Sequence, residues 1–552
     1  MKNLLIALWL ILPAIAHAQT WEWARTGGGI QHATDARFYT IAPDRFGHVY
    51  AAGFFSFPSI TLGSVTLTNP AYTGGVELLI AKYDTAGGVI WAKTAAVTGV
   101  MENYVTAAVT DAAGNLYVTG SFEADTIRFD TIALVNSHYG DMFLVKYDPM
   151  GNVKWAKRGA SWGAYFQPSG LAADPSGNII VTGRFGGALS LFGADTFHTV
   201  PGLGYDQLFV IKVDTSGNTL WKKPIGSLYA MTPGAVTTDA AGSIYITMDC
   251  VDTATTFETA TFATNKITLA KYSSSGDVIW VKNTGSGYND GAMAVKTDAA
   301  CNVYVTGNFE DSAINFGATT LTNPVLHTTE VFLAKYDSSG AEIWAKSGGS
   351  NMNDGAYGMD IDVTGSIYIA GYFSGSAITF WPDSLAQTGS ADLYVAKYSA
   401  AGIPQWVVGP GCGAGGFARA LCADLAGNLY VAGEFSSDTL CFGTSTLTDS
   451  VSTTDFNVLI AKLNNPMPVT TGSHVVSPSN EAISIFPNPA NSLLTISATN
   501  IITTVVISNV LGQVVYTDRC NANRVTANVS AMPAGTYFVR VNGSEVRRFV
   551  KQ

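Results

Sequence analysis

Charge is scarce in this chain: Asp, Glu, Lys and Arg make up 13% of 552 residues, and 30 basic groups against 41 acidic ones leave a net charge of −11. The basic residues form no block, so the electrostatic footprint of a nucleic-acid binder is missing. Histidine is sparse as well. Beyond the N-terminal segment it stands at His32, His48, His138, His198, His327 and His474, never in a metal spacing such as H-E-x-x-H. The six cysteines, Cys250, Cys301, Cys412, Cys422, Cys441 and Cys520, contain no C-x-x-C pair, which excludes a repeated metal or disulfide framework. After the first eighteen residues no apolar run approaches the length of a membrane helix, about 18 residues or more. Helical periodicity is absent too. What is abundant is glycine, 57 residues, in a chain that is 47% hydrophobic and rich in Thr, Val and Tyr, the composition of an all-β protein with tight turns.

The N-terminus has the layout of an export signal over residues 1–18: Lys2, an apolar run from Leu4 to Ala14, and the small-x-small site Ala16-His17-Ala18. Gln19 is then the expected first mature residue. No cysteine stands at the cleavage point, which argues against a lipid anchor.

The rest of the chain is organised by a repeat. Tryptophan recurs at Trp23, Trp91, Trp155, Trp221, Trp280, Trp344 and Trp406, at intervals of 59 to 68 residues, and a period of this size means a repeat architecture. An aspartate-led turn recurs at Asp44, Asp111, Asp174, Asp239, Asp298, Asp362 and Asp424, with glycine three residues later except where Cys301 replaces it. Asp caps its own turn and Gly accepts the left-handed backbone that returns the chain. A second turn follows the lysines Lys82, Lys146, Lys212, Lys271, Lys335 and Lys397, and Lys462 ends the series. Each unit therefore reads as a four-stranded meander with small residues in its first strand, as in Ala107-Ala108-Val109, and Phe, Tyr and Trp in its third and fourth. In a radial array small residues belong near the axis, and the tryptophan is expected to fill the wedge at the rim. The segment Trp21 to Arg25 is a fourth strand without a unit, and Phe456 to Leu463 is a third strand without a fourth. The two are expected to pair and close the ring. The expectation is an all-β chain: a seven-bladed β-propeller over residues 19–465 with four-stranded blades, its N-terminal strand closing the last blade, plus a small C-terminal β-sandwich.

The pattern D-x-x-G-N-x-Y-V-x-G-x-F, best seen from Asp111 to Phe122, followed by F-L-x-K-Y-D-x-x-G-x-x-x-W-A-K from Phe143 to Lys157, resembles the SBBP β-propeller repeats of secreted bacterial proteins. The resemblance covers residues from about 20 to 465. It implies a propeller without a shared activity and fixes no catalytic residue.

Beyond Lys462 the composition shifts to Pro, Ser, Thr and Gly, which makes residues 466–482 a linker. Residues 483–552 then carry Ile485-Phe486-Pro487-Asn488-Pro489-Ala490, the segment Val506 to Gln513, Met532-Pro533-Ala534-Gly535-Thr536-Tyr537 and the ending Phe549-Val550-Lys551-Gln552. In that order they resemble the type IX secretion sorting domain. The resemblance implies a partner, the type IX secretion machinery, and a destination, the outer cell surface or the medium by way of the periplasm. It also implies that the sorting domain is removed after passage.

Chemistry is harder to find. The repeated lysines are expected to meet the turn aspartates as structural contacts. Asp35, Glu102, Asp290 and Asp354 stand eight or nine residues before the first turn of four units, near the expected mouth of the central channel. Oxygen ligands there could hold Ca2+, although shaping the local turn is the simpler role. No other cofactor is called for. One end of the ring carries only tight turns and the other every long connection, so the long-loop face is the expected working surface. Its aromatic candidates are Phe38, Tyr104, Tyr165, Tyr229, Tyr288, Tyr357 and Phe417, suited to stacking on sugar or gripping protein. Cys412 and Cys441 fall in long connections of the last unit and are the expected disulfide. The reading is a non-catalytic binding or adhesion scaffold for an extracellular glycan or protein. The alternative is a polysaccharide-active enzyme, a glycosidase or lyase, with its site on the same face.

Overall fold

The computed structural model describes residues 19–29, 35–69, 75–99, 102–137, 140–161, 164–187, 189–200, 202–204, 206–229, 231–250, 254–257, 260–263, 266–284, 290–413, 415–448, 455–464, 484–509, 514–542 and 545–552. The expected signal segment, Tyr288 and the expected linker lie outside them. The chain divides into two compact units, Met1–Met467 and Pro468–Gln552. The described residues hold strands and turns, with no helix.

In the first unit Asn103–Thr110, Leu116–Phe122, Asp141–Tyr147 and Val153–Ser161 pair antiparallel in chain order. Equivalent meanders begin at Ala36–Pro43, Phe166–Ala173, Met231–Thr238, Gly291–Thr297 and Asp354–Ile361. The meander from Gly416–Ala423 takes its fourth strand from the other end of the chain: Thr20–Thr26 pairs with Asn457–Asn464, with Trp21 opposite Leu463 and Ala24 opposite Ala461. The first strands lie side by side in succession, and Gly416–Ala423 returns to Ala36–Pro43. Threonines stitch this inner ring: Thr110 donates to Pro43 O at 2.6 Å, Thr238 to Ala173 O at 2.7 Å and Thr297 to Thr238 O at 2.8 Å. This is the arrangement of a β-propeller.

Turn chemistry follows the sequence. Asp111 Oδ1 accepts the amides of Ala113 at 2.9 Å and Asn115 at 3.0 Å, and Gly114 has φ +80°. Cys301, in the one turn lacking glycine, takes φ +62°.

The core lies between neighbouring sheets. Tyr50, Leu78 and Ile80 of one meander pack with Val105, Leu116 and Phe143 of the next, because second and third strands are covered on both faces. The tryptophans do not merely fill widening space between sheets. Trp155 Nε1 and Lys146 Nζ both donate to Thr215 O, at 3.1 and 3.0 Å, in the second turn of the following meander. Trp91 with Lys82, Trp221 with Lys212, and Trp280 with Lys271 repeat this on Pro149, Ser274 and Ser338. The indole also lies where a side chain on the turn glycine would go: a Cβ on Gly217 would meet Trp155 at 3.1 Å. Each lysine has a second role nearer home. Lys212 sits 2.8 Å from Asp174 and Lys82 3.2 Å from Asp44, while Lys146 lies over the Tyr117 ring at 4.9 Å.

The long connection between second and third strands contains a β-hairpin. It reaches back to the fourth strand of the preceding meander. Leu189–Phe192 pairs with Asp195–His198 and also with Gly159 to Ser161. Gly28 pairs with Thr61 in the same way. At Cys412 and Cys441 the latch narrows to one β-bridge, and a disulfide joins those two residues. Cys301, Cys422 and Cys520 are free thiols.

The second unit is built on Leu493–Asn509. Its first half pairs with Ser484–Phe486 and its second half with Gly535–Val541, while Val514–Asn528 follows it along both. Glu545–Lys551 pairs with Gly535–Val541 at the edge. Leu494, Ile496, Val505, Ile507, Val539 and Phe549 form its core.

Candidate functional site

One residue near the start of each first strand is set by a β-bulge. In the second meander Val105 faces Gly120 and Ala107 faces Thr119, so Thr106 is extra. The bulged residues elsewhere are Tyr39, Ser169, Met293, Tyr357 and Arg419. The glycine of the repeat's G-x-F explains the bulge. A Cβ on Gly120 would lie 1.9 Å from Tyr104 O, on Gly371 1.8 Å from Gly355 O, and on Gly433 1.9 Å from Phe417 O. Only glycine lets the bulged backbone come that close. In the fourth meander Met248 replaces this glycine and the register shift widens, from Pro233 to Val236.

Of these bulged residues Tyr39, Thr106, Met293, Tyr357 and Arg419 line a cavity of about 550 Å³ at the long-loop end of the channel, together with Tyr104 and Gln167 among others. Tyr357 stacks on Tyr372 with centroids 5.9 Å apart and 12° between planes, and Tyr372 meets Phe417 at 5.0 Å. Arg419 lies 5.1 Å over the Tyr357 ring. Its Nε and Nη2 donate to Glu434 Oε1 at 2.9 and 2.6 Å, and Arg37 Nη1 stands 3.7 Å from the same oxygen. Glu434 is fully buried and its Oε2 has no hydrogen-bond partner. Arg37 also pairs with Asp35 at 2.7 Å. On the opposite arc Arg184 donates to Gln167 Oε1 at 2.9 and 2.8 Å and covers Tyr165 at 4.9 Å.

Burial raises the pKa of Tyr39 against the lowering pull of Arg37, and that of Tyr104, where the Glu102 carboxylate adds to it. Tyr165 is pushed up to about 12, by burial first and then by Asp206. All three phenols are hydrogen-bond donors at neutral pH.

The sequence candidates separate into groups. Tyr104, Tyr357 and Phe417 sit on first strands at the channel mouth, not in loops. Tyr165 lies beside them under Arg184. Phe38 is fully buried in the core, and Tyr229 is 64% exposed in a connection. The four carboxylates are engaged one by one. Asp35 holds Arg37 and the Phe456 amide, Glu102 accepts Tyr104 OH at 2.7 Å, and Asp290 accepts the Glu310 amide at 3.0 Å. Asp354 accepts the Ser350 hydroxyl at 2.7 Å. Among the described residues no three His, Cys, Asp or Glu side chains are grouped to hold a metal. Tyr39, Arg419, Glu434 and Tyr372 were missed by sequence reasoning, and the glycine opposite each bulge is the signal that marks them.

Gly159-Ala160-Ser161-Trp162-Gly163 has the G-x-S-x-G spacing of a hydrolase nucleophile elbow. Ser161 instead ends a strand, buried, with its hydroxyl on Gly186 O and Ser190 donating to it at 2.9 Å.

Residues 484–552 match the secretion system C-terminal sorting domain. The chain is an exported protein handled by that system, bound for the cell surface or the medium. Across 460 residues it is 22% identical to an uncharacterized WD repeat-containing protein of Acanthamoeba polyphaga mimivirus, covering 68% of this chain and 32% of that protein. The chain thus spans about a third of the length of the viral relative. Among solved structures it is similar to the WD40 β-propeller domain of Doa1, with 9% identity, 81% of this chain, 98% of that chain and a TM-score of 0.36. It is also similar to PorZ, a surface component of the type IX secretion system of Porphyromonas gingivalis, with 11% identity, 93% and 81% coverage and a TM-score of 0.24. The propeller assignment rests on the strand pairing described above. No helix among the described residues is long and apolar enough to cross a membrane.

Proposed function

We propose that the protein is a non-catalytic binding scaffold of the cell surface or medium that takes an extracellular glycan or protein at the mouth of its channel. The observation that carries this is the contrast within the repeat. Turns, clamps and buried strand positions recur from unit to unit, while the bulged residues that line the mouth differ: Tyr39, Thr106, Met293, Tyr357 and Arg419 at one position. A rigid frame with a variegated mouth is the layout of a recognition site. On this reading the ring has seven blades over residues 19–465, residues 466–482 are a linker, and 483–552 form a β-sandwich. Residues 1–18 direct the chain to the periplasm, the sorting domain then takes it outward, and both are removed.

The test is an array of glycans and extracellular proteins probed with residues 19–465, repeated with Tyr104→Ala and Tyr357→Ala combined. Binding that drops at least tenfold in the double variant supports the reading. Binding that survives moves the site elsewhere, and hydrolysed glycan in the wash replaces the scaffold by an enzyme.

A further inference from the structure

Resting on that reading, we infer that the cavity receives the uncharged terminal sugar of a glycan, entering end-on from the long-loop side. Four observations lead there. Its volume, about 550 Å³, is within the range of roughly 300–1,000 Å³ of small-molecule sites. That suits one or two sugar rings. The location at the end of a closed ring admits a chain end more readily than the middle of a strand or polymer.

The walls have two kinds of surface. Tyr357, stacked with Tyr372, flanked through it by Phe417 and covered by Arg419, gives an aromatic wall against which the C–H side of a pyranose packs. Arg419 and Glu434 form a fixed planar pair joined through one carboxylate oxygen, and Gln167 with Arg184 forms a second. The lining thus sets donors of Arg419 and the Gln167 amide beside the hydroxyl oxygens of Thr106 and Ser121, the mixture that adjacent sugar hydroxyls require. Glu434, fully buried, fixes the direction of the Arg419 guanidinium from beneath.

Charge balance selects among sugars. Arg419 and Arg37 face Glu434 and Asp35, and Arg184 shares Tyr165 with Asp206, three cations against three anions. A uronate or phosphate would find no spare cation there and would face Glu434; an amino sugar would face the arginines. An uncharged ring meets neither penalty.

The full chain is titrated by calorimetry with maltotriose, cellotriose, mannotriose and N-acetylchitotriose, and with trigalacturonate as the acidic counterpart. Saturation-transfer NMR then locates the bound ring. The inference expects at least one neutral trisaccharide to bind, strongest transfer to a terminal ring, and no competition by trigalacturonate. Tyr357→Ala should weaken binding at least tenfold. Met293→Trp, which fills the cavity from a half-exposed position and leaves the Arg419–Glu434 pair intact, should abolish it. Trp381→Ala, on the outer hairpin, should change nothing. Tighter binding of trigalacturonate, strongest transfer to the middle ring, or indifference to Met293→Trp overturns the inference. Binding that survives Met293→Trp and falls in Tyr229→Ala overturns it while sparing the scaffold. A protein ligand from the array with no sugar bound also overturns it alone, and no ligand of either kind overturns both readings.

Discussion

Replacing Gly371 by alanine tests how the repeat builds its channel mouth. A Cβ there would lie 1.8 Å from Gly355 O, whereas ordinary carbon–oxygen contacts begin at about 3.3 Å. The two strands must therefore part by about 1.5 Å, enough to break the hydrogen bonds flanking the bulge. Two ladder bonds at about 1 kcal/mol each, plus about 1–3 kcal/mol for overpacking, give an expected loss of about 3–5 kcal/mol. Gly365→Ala is the control. Gly365 has φ +81°, and its Cβ would meet nothing closer than Ala400 at 3.7 Å, so only the left-handed backbone is penalised, by about 1–2 kcal/mol. Denaturant titrations followed by tryptophan fluorescence compare the pair. Gly371→Ala should also abolish ligand binding, since Tyr357 owes its direction to the bulge, and Gly365→Ala should not. Equal destabilisation by the two variants would refute the steric account of the G-x-F glycine.

Burial pushes Glu330 up to about 7, helped by the Asp354 charge, and Asp354 up to about 6. A carboxyl whose pKa is raised on folding contributes stability below its ordinary value that is lost as pH rises through the folded value. Stability should thus fall between about pH 4.5 and 7, by on the order of 3 kcal/mol for Glu330, and Glu330→Gln should raise the melting temperature at pH 8 and leave it unchanged at pH 4.5. In the other direction, Asp174 has its pKa lowered: burial raises it, but hydrogen bonds from Lys212 and Asn178 prevail. Its contribution is present above about pH 4 and lost on acidification below that, so Asp174→Asn should flatten the acid limb of a pH–melting curve. The disulfide closes a loop with a sequence separation of 29, worth about 3–4 kcal/mol by chain entropy. Cys412→Ser with Cys441→Ser should lower the denaturation midpoint, and a reductant should then shift only the parent protein. Trp155→Phe keeps a ring against Gly217 but removes the bond to Thr215 O; a loss of about 1 kcal/mol in the same titration is expected, and a larger one would mean the ring itself is misplaced.

Much of the frame was legible because its anchors are local. An aspartate two and four residues before the amides it caps, or a lysine ending a strand, repeats visibly in the chain. The pairing of Trp21 to Arg25 with the last third strand was legible as well, since each was a fragment lacking the other. The clamp of Trp155 on Thr215 was not, because it spans 60 residues and nothing near either residue names its partner. The latching hairpins hid in variable connections with short strands. The channel mouth hid for another reason: a bulge adds one residue without altering the apolar pattern around it, so Arg419 read as an ordinary strand residue. The opposing glycine was in view and was counted as punctuation, when its missing side chain is what admits Tyr104 O or Gly355 O.

The most direct test of a binding site at the channel mouth is a photo-crosslinking comparison on the full chain. A diazirine amino acid of about methionine's size, which leaves the cavity open, is placed at Met293 inside the cavity or at Trp381 on the outer hairpin, 39% and 81% exposed, and irradiated with the ligand found on the array. The account predicts ligand bonded to position 293 and none to 381. Crosslinking at 381 with none at 293 would contradict it.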